Sequence, residues 1–118
     1  MATPNLANVA TINPFTVAGD LTTSAVALVD TTAEYGFKIE SIFLCNADTT
    51  NSCTADIDVS VDNGSNYYYL TKGLVIPPAT TISIIDRPIF LDETDLIRGL
   101  ASAAGDIDYI ISGQKTAD

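Results

Sequence analysis

Histidine and tryptophan are absent from this chain of 118 residues, cysteine occurs twice, and five lysines and arginines stand against fifteen aspartates and glutamates. Without histidine there is no side chain that ordinarily titrates near neutrality, which removes Ser-His-Asp and Cys-His mechanisms. Cys45 and Cys53 alone cannot complete a tetrahedral zinc shell. The seven glycines are scattered and form neither a dinucleotide fingerprint nor a phosphate loop. No residue is therefore expected to be catalytic, to bind a cofactor or to ligate a metal. The five cations, Lys38, Lys72, Arg87, Arg98 and Lys115, are nowhere adjacent, and the formal charge is −10. Nucleic acid and anionic membranes both require clustered cations, so neither is expected as a direct partner. The opening MATPNLANVATINPF has no positively charged start and no long apolar run. No signal peptide or membrane span is expected, and synthesis in a cytoplasm is.

What remains is a domain-sized chain that would bury roughly two-thirds of its unfolded surface without help from metals or disulfides. Charged residues make up only 17% of it, so much of the polar surface must come from Thr, Ser and Asn. The net negative field favours solubility, repels like copies at long range and suits a partner with a basic patch.

The clearest local signal is TADIDVSVDNGSNYYYLTK, residues 54–72. Ala55, Ile57, Val59 and Val61 alternate with Asp56, Asp58, Ser60 and Asp62, the period of a half-buried strand. Asn63-Gly64 then accepts the positive φ angles of a tight hairpin turn. A two-residue turn would pair Val59 with Tyr68, Asp58 with Tyr69 and Ile57 with Leu70. Further strands are expected at 24–30, 35–45, 74–76, 81–85, 89–91, 95–101 and 107–112, separated by Pro77-Pro78, Asp86-Arg87-Pro88, Asp92-Glu93-Thr94 and Ala104-Gly105-Asp106. In the strand 35–45, Phe37, Ile39 and Phe43 would share one face and Ile42 and Leu44 the other. DETDLIRGLASAA has a helical look, but Gly99 and the β-rich flanks favour a strand. Many short strands with Gly, Pro and Asp at their ends predict an all-β, single-domain antiparallel β-sandwich, jelly-roll-like, with an extended N-terminal arm. Its divisions would be an arm or edge strand over 1–23, the sandwich over 24–113 and a polar tail over 114–118.

Val9, Ile12, Phe15 and Val17 in the first segment either cover their own sheet or reach a neighbouring copy. Tyr68 is expected in the core. Tyr67 and Tyr69 would form an outer aromatic pair beside Asp58, suited either to an interface or to ordinary cross-strand packing. Asp56, Asp58 and Asp62 read as a solvated acidic face rather than a pair of glycosidase acids, and Asp92 to Asp95 as a plain acidic turn rather than a calcium loop. Cys45 and Cys53 bracket a polar loop and are read as reduced, with a disulfide left open.

The opening MATPNLANVATIN, the phrases KIESIFLCNAD and DIDVSV, the long YYYLTKGLVIPPATTISIIDRPIFLDETDLIRG and the closing GDIDYIISG together resemble the small virion proteins of tailed bacteriophages, notably those infecting cyanobacteria. The similarity spans nearly the whole chain and rests on strand-and-turn phrases, with no catalytic residues attached. It implies a non-enzymatic capsid decoration, or cement, protein on the virion's capsid surface. Such a protein would bind and stabilise the major capsid protein lattice and associate with copies of itself, a homotrimer being favoured. A neck or tail component is the alternative. A carbohydrate-binding or hydrolytic sandwich is a third reading, against which the missing tryptophan and acid pair weigh. The candidate interface residues are Val9, Ile12, Phe15, Val17, Tyr67 and Tyr69.

Overall fold

The computed structural model describes residues 11–30 and 36–117. Nine strands occur among them: β1 Thr11–Asp20, β2 Val26–Asp30, β3 Gly36–Asn46, β4 Cys53–Ser60, β5 Tyr68–Ile76, β6 Thr81–Ser83, β7 Ile89–Leu91, β8 Leu96–Ala101 and β9 Ile107–Ala117. They build two antiparallel sheets. One, sheet A, runs β1-β9-β3-β6, with β7 beside β6 along the same side of β3; sheet B runs β2-β8-β4-β5. Except for the β4–β5 hairpin and the β6–β7 break, each step along the chain crosses from one sheet to the other. The chain is thus an all-β sandwich, as its short alternating segments predict.

Between the sheets lie Leu21, Leu28, Ile39, Ile42, Leu44, Ile57, Ile76, Ile97, Ile107 and Ile111. Branched aliphatics suit a pleated surface, and burying each contributes about 2 kcal/mol over leaving it in water. Gly99 on β8 makes room for this layer. A Cβ there would stand 2.7 Å from Ile57 Cδ1 and 3.0 Å from Leu28 Cδ1.

Irregularities in the ladders decide which side chains reach that layer. On β3 the register shifts between Ile39 and Ser41, so Glu40 is an extra residue. A bulge of one residue reverses the facing of everything after it. Ile39, Ile42 and Leu44 are consequently all buried while Phe43 points outward, which corrects the expected grouping of Phe43 with Phe37 and Ile39. Gly113, opposite the bulge, is what permits it: a Cβ at this position would overlap the Lys38 carbonyl oxygen.

The β4–β5 hairpin keeps the expected pairs Val59 with Tyr68 and Asp58 with Tyr69, and Asn63 and Gly64 take positive φ, 59° and 90°. It is not a two-residue turn, however. Residues 61–67 form a loop, and Ile57 faces Thr71 instead of Leu70. A second shift places Ala55 opposite Leu74, with Gly73 at φ 63° and its N–H donated to Asp56 Oδ1 at 2.6 Å. Tyr68, at the sheet edge, is 66% exposed and not in the core. Residues 114–117, read from sequence as tail, continue β9 between β1 and β3.

Candidate interaction faces

The outer face of sheet B carries charge and aromatic rings. Asp58 on β4 lies opposite Arg98 on β8, and the guanidinium donates from Nε and Nη2 to the two carboxylate oxygens at 2.9 and 3.0 Å. Arg98 also stacks on Tyr67, 3.4 Å from the ring centroid. The hydrogen bonds that Arg98 donates to Asp58 hold its pKa above the ordinary value. Only 8% of the Asp58 side chain reaches solvent. The solvated acidic face expected over Asp56, Asp58 and Asp62 is thus three separate arrangements. Asp58 is under a guanidinium, Asp56 accepts the Gly73 N–H, and Asp62 caps the 61–67 loop. Next along the face Lys72 Nζ sits 4.7 Å over the Tyr69 ring.

Polar residues at the two ends are committed to loop geometry. Fully buried Asn46 donates Nδ2–H to the carbonyls of Asn51 and Ile76 and accepts the Asp48 N–H on Oδ1, which fixes the 46–51 loop to the end of β5. Asp48 accepts from the backbone of Thr50 and then Asn51, and these bonds lower its pKa. At the other end buried Ser60 donates to Asp62 and accepts the Gly64 N–H. Asn66 donates to Asp62 from its side chain and backbone, the main causes of that carboxyl's lowered pKa. The 92–95 turn closes on itself, Asp95 accepting the Asp92 N–H and Asp92 the Thr94 N–H. Among the described residues no three or more acidic or cysteine side chains are grouped to hold a metal ion.

The outer face of sheet A is of a different kind. Its ladder rows run Ile12–Thr116–Gly36, Pro14–Gln114–Lys38–Phe90, Thr16–Ser112–Ser41, Ala18–Ile110–Phe43–Ser83 and Asp20–Asp108–Cys45–Thr81. Ile12, Phe90, Ile110 and Phe43 are exposed to 61, 65, 46 and 40%. Around them are hydroxyls, with Ser41 and Ser112 hydrogen-bonded at 2.7 Å. The charged members of these rows stand apart: Lys38, paired at 3.5 Å with Glu40 of the bulge, and the two carboxyls of Asp20 and Asp108 in the last row. The Asp108 pKa is raised by its hydrogen bond with Asp20, then by burial and the like charge.

The candidate interface residues therefore separate. Ile12 stands on the outer face of sheet A, whereas Phe15 and Val17 pack against the core from β1, Phe15 edge-on to Phe37 at 5.1 Å. Val9 lies outside the described residues. Tyr67 is taken up by Arg98, and Tyr69 remains exposed on sheet B. Sequence reasoning missed Phe43, Phe90 and Ile110 as surface residues; for Phe43 the cause is the Glu40 bulge, which leaves no mark in the alternation. Both cysteines are free, Cys53 buried with its Sγ 3.2 Å from Ser102 Oγ and Cys45 facing outward on β3.

The two sheets define an antiparallel β-sandwich, and solved structures share it. A chain of the T13 IBDV viral particle superposes with a TM-score of 0.54 at 5% identity, over 90% of this chain and 31% of that one. This protein thus spans about a third of the length of that viral chain. The Drosophila NLP-core, whose crystal structure addresses pentamer formation and histone binding, also gives 0.54, at 14% identity over 90% of this chain and 99% of its own. A pentameric capsid protein from metagenomic phage sequences matches over 86% of this chain and 60% of its own at 14% identity, with a TM-score of 0.38. At these identities the likeness is one of fold. No protein-family model and no curated protein sequence matches the chain.

Proposed function

We propose that this protein is a non-enzymatic structural component of a tailed-phage virion, a decoration protein on the capsid surface that binds and stabilises the major capsid protein lattice, as a homotrimer. The observation that carries the reading is the division of its surface. Fifteen acidic residues give the chain a strong negative field, yet the outer face of sheet A presents exposed Ile12, Phe43, Phe90 and Ile110 among hydroxyls. Contact surfaces are depleted in charge at their centres and enriched in aromatic residues. Of the acids weighed from the sequence as hydrolase candidates, Asp58 is held by Arg98, Asp56 by the Gly73 N–H and Asp62 by Asn66 in its loop.

The strand order supports the jelly-roll form of the sandwich, since sheets ordered β1-β9-β3-β6/β7 and β2-β8-β4-β5 interleave the first and second halves of the chain. A sandwich of this kind serves in a viral particle and equally in the NLP-core, so the fold is compatible with the role without selecting it. The acidic ends suit a basic patch on the capsid lattice.

The test is the copy number of the polypeptide relative to the major coat protein in purified particles, by quantitative mass spectrometry. A ratio near one or about one-third supports a place across the lattice, and roughly six or twelve copies per particle would move the protein to the neck or tail. Absence from particles overturns the virion reading.

A further inference from the structure

We propose that copies of this chain contact one another through the outer face of sheet A, with Phe43, Ile110 and the Ser41–Ser112 pair near the centre of the contact. The inference rests on the self-association in the proposed function, and because a face that meets its own counterpart makes a two-fold contact, it gives that association the form of a dimer in place of a trimer.

Electrostatics permits a second copy on this face in one orientation. Two chains of charge −10 repel wherever acidic surface meets acidic surface. At physiological salt the repulsion fades over about 8 Å. On sheet A the central row, Thr16–Ser112–Ser41, is two rows from Asp20 and Asp108, and neighbouring outward rows are about 6.7 Å apart along the strands. Copies related by a two-fold axis running across the strands at this row place their carboxyl pairs at opposite ends of the contact, roughly 27 Å apart and beyond the screening length.

The size of the face fits as well. β1 is ten residues long, which is about 33 Å at 3.3 Å per residue, and four strands at about 4.8 Å spacing make the sheet about 19 Å wide. The projected area is roughly 600 Å², and side-chain relief brings the accessible area toward the ~800 Å² that each partner contributes to a stable interface. Phe43 and Ile110 are neighbours on adjacent strands and both are exposed, with Ile12 and Phe90 exposed farther along the same face, and exposed apolar side chains at the middle of a face suit the core of a contact.

Sedimentation velocity and native mass spectrometry of the full chain over a range of concentrations test the proposal. The wild type is expected to self-associate. The double variant Phe43→Asp, Ile110→Asp is expected to weaken association at least about tenfold by placing carboxylates in the centre of the contact. Thr16→Lys, at an exposed hydroxyl position, provides a second variant in case the first fails to fold. Val75→Asp, exposed on β5 of sheet B, is expected to leave association within about twofold of wild type. If the sheet A variants associate like wild type while Val75→Asp does not, the face is wrongly assigned and self-association stands. If the wild type is monomeric throughout, the inference and the homotrimer fall together, while copy number in particles still decides the virion reading.

Discussion

Removing Arg98 tests whether the pair across sheet B is part of the fold or an ornament on its surface. Breaking a fully buried pair by deleting one partner costs about 3–5 kcal/mol, because a charge is left without compensation. Here the Asp58 side chain is 8% exposed but Arg98 is 30% exposed, and water would enter once the guanidinium is gone. About 2 kcal/mol is therefore expected for Arg98→Met, including about 0.5 kcal/mol for the lost stack on Tyr67. That corresponds to a fall in melting temperature of about 8 °C for a domain of this size. Arg98→Lys keeps the charge but loses the two-pronged geometry and the stack, and should cost about 1 kcal/mol. The double variant Asp58→Leu, Arg98→Met should return to within about 1 kcal/mol of wild type, since a buried pair owes its cost of breaking to desolvation more than to net attraction. Urea unfolding of the wild type, Arg98→Met, Asp58→Leu and the double variant gives the coupling energy, expected at about 1.5 kcal/mol and little changed by added salt. Single variants that each cost under about 0.5 kcal/mol and add without coupling would refute the argument, and the pair would rank with ordinary surface ion pairs.

Three further outcomes follow from the geometry. Gly113→Ala should destabilise by about 3 kcal/mol or more, since its Cβ would overlap the Lys38 carbonyl and the Glu40 bulge must open; circular dichroism during thermal unfolding measures this. The raised pKa of Asp108 means that its stabilising contribution is complete below the unfolded-state value and is lost as pH rises through the folded one. Asp108→Asn should accordingly stabilise at neutral pH by some 0.2–1 kcal/mol, the range for a cross-strand pair, and lose that advantage near pH 3, in urea titrations at the two pH values. Deleting residues 1–20 removes β1 with Phe15 and Val17 from the core and should unfold or strongly destabilise the domain, whereas deleting residues 1–10 leaves β1 in place and should not, as proteolysis of the two truncations will report.

The β architecture is legible in the residue pattern because its causes are local. Alternation over 54–61, Pro77-Pro78 after β5 and Asp86-Arg87-Pro88 between β6 and β7 each constrain their own backbone. Strand faces were less legible. Ile39 and Phe43 are four residues apart and would share a face on a regular strand, but the bulge turns Phe43 into solvent, and that bulge depends on Gly113, far along the chain and opposite Lys38 and Glu40. The length of β9 escaped for a similar reason: residues 114–117 are polar with no apolar alternation, and they are ordered by ladders from β1 on one side and β3 on the other.

What this sequence determined by itself is chemistry and local conformation: no histidine base, an acidic chain with dispersed cations, a β-sandwich, and positive φ at Asn63-Gly64. Those properties belong to single residues or to neighbours along the chain. Whether a side chain meets water, a partner or the core is a property of pairs brought together from distant positions. Only the tertiary structure placed Asp58 beneath Arg98, forty residues later, set Asp20 against Asp108, and left Ile12, Phe43, Phe90 and Ile110 exposed on one outer face.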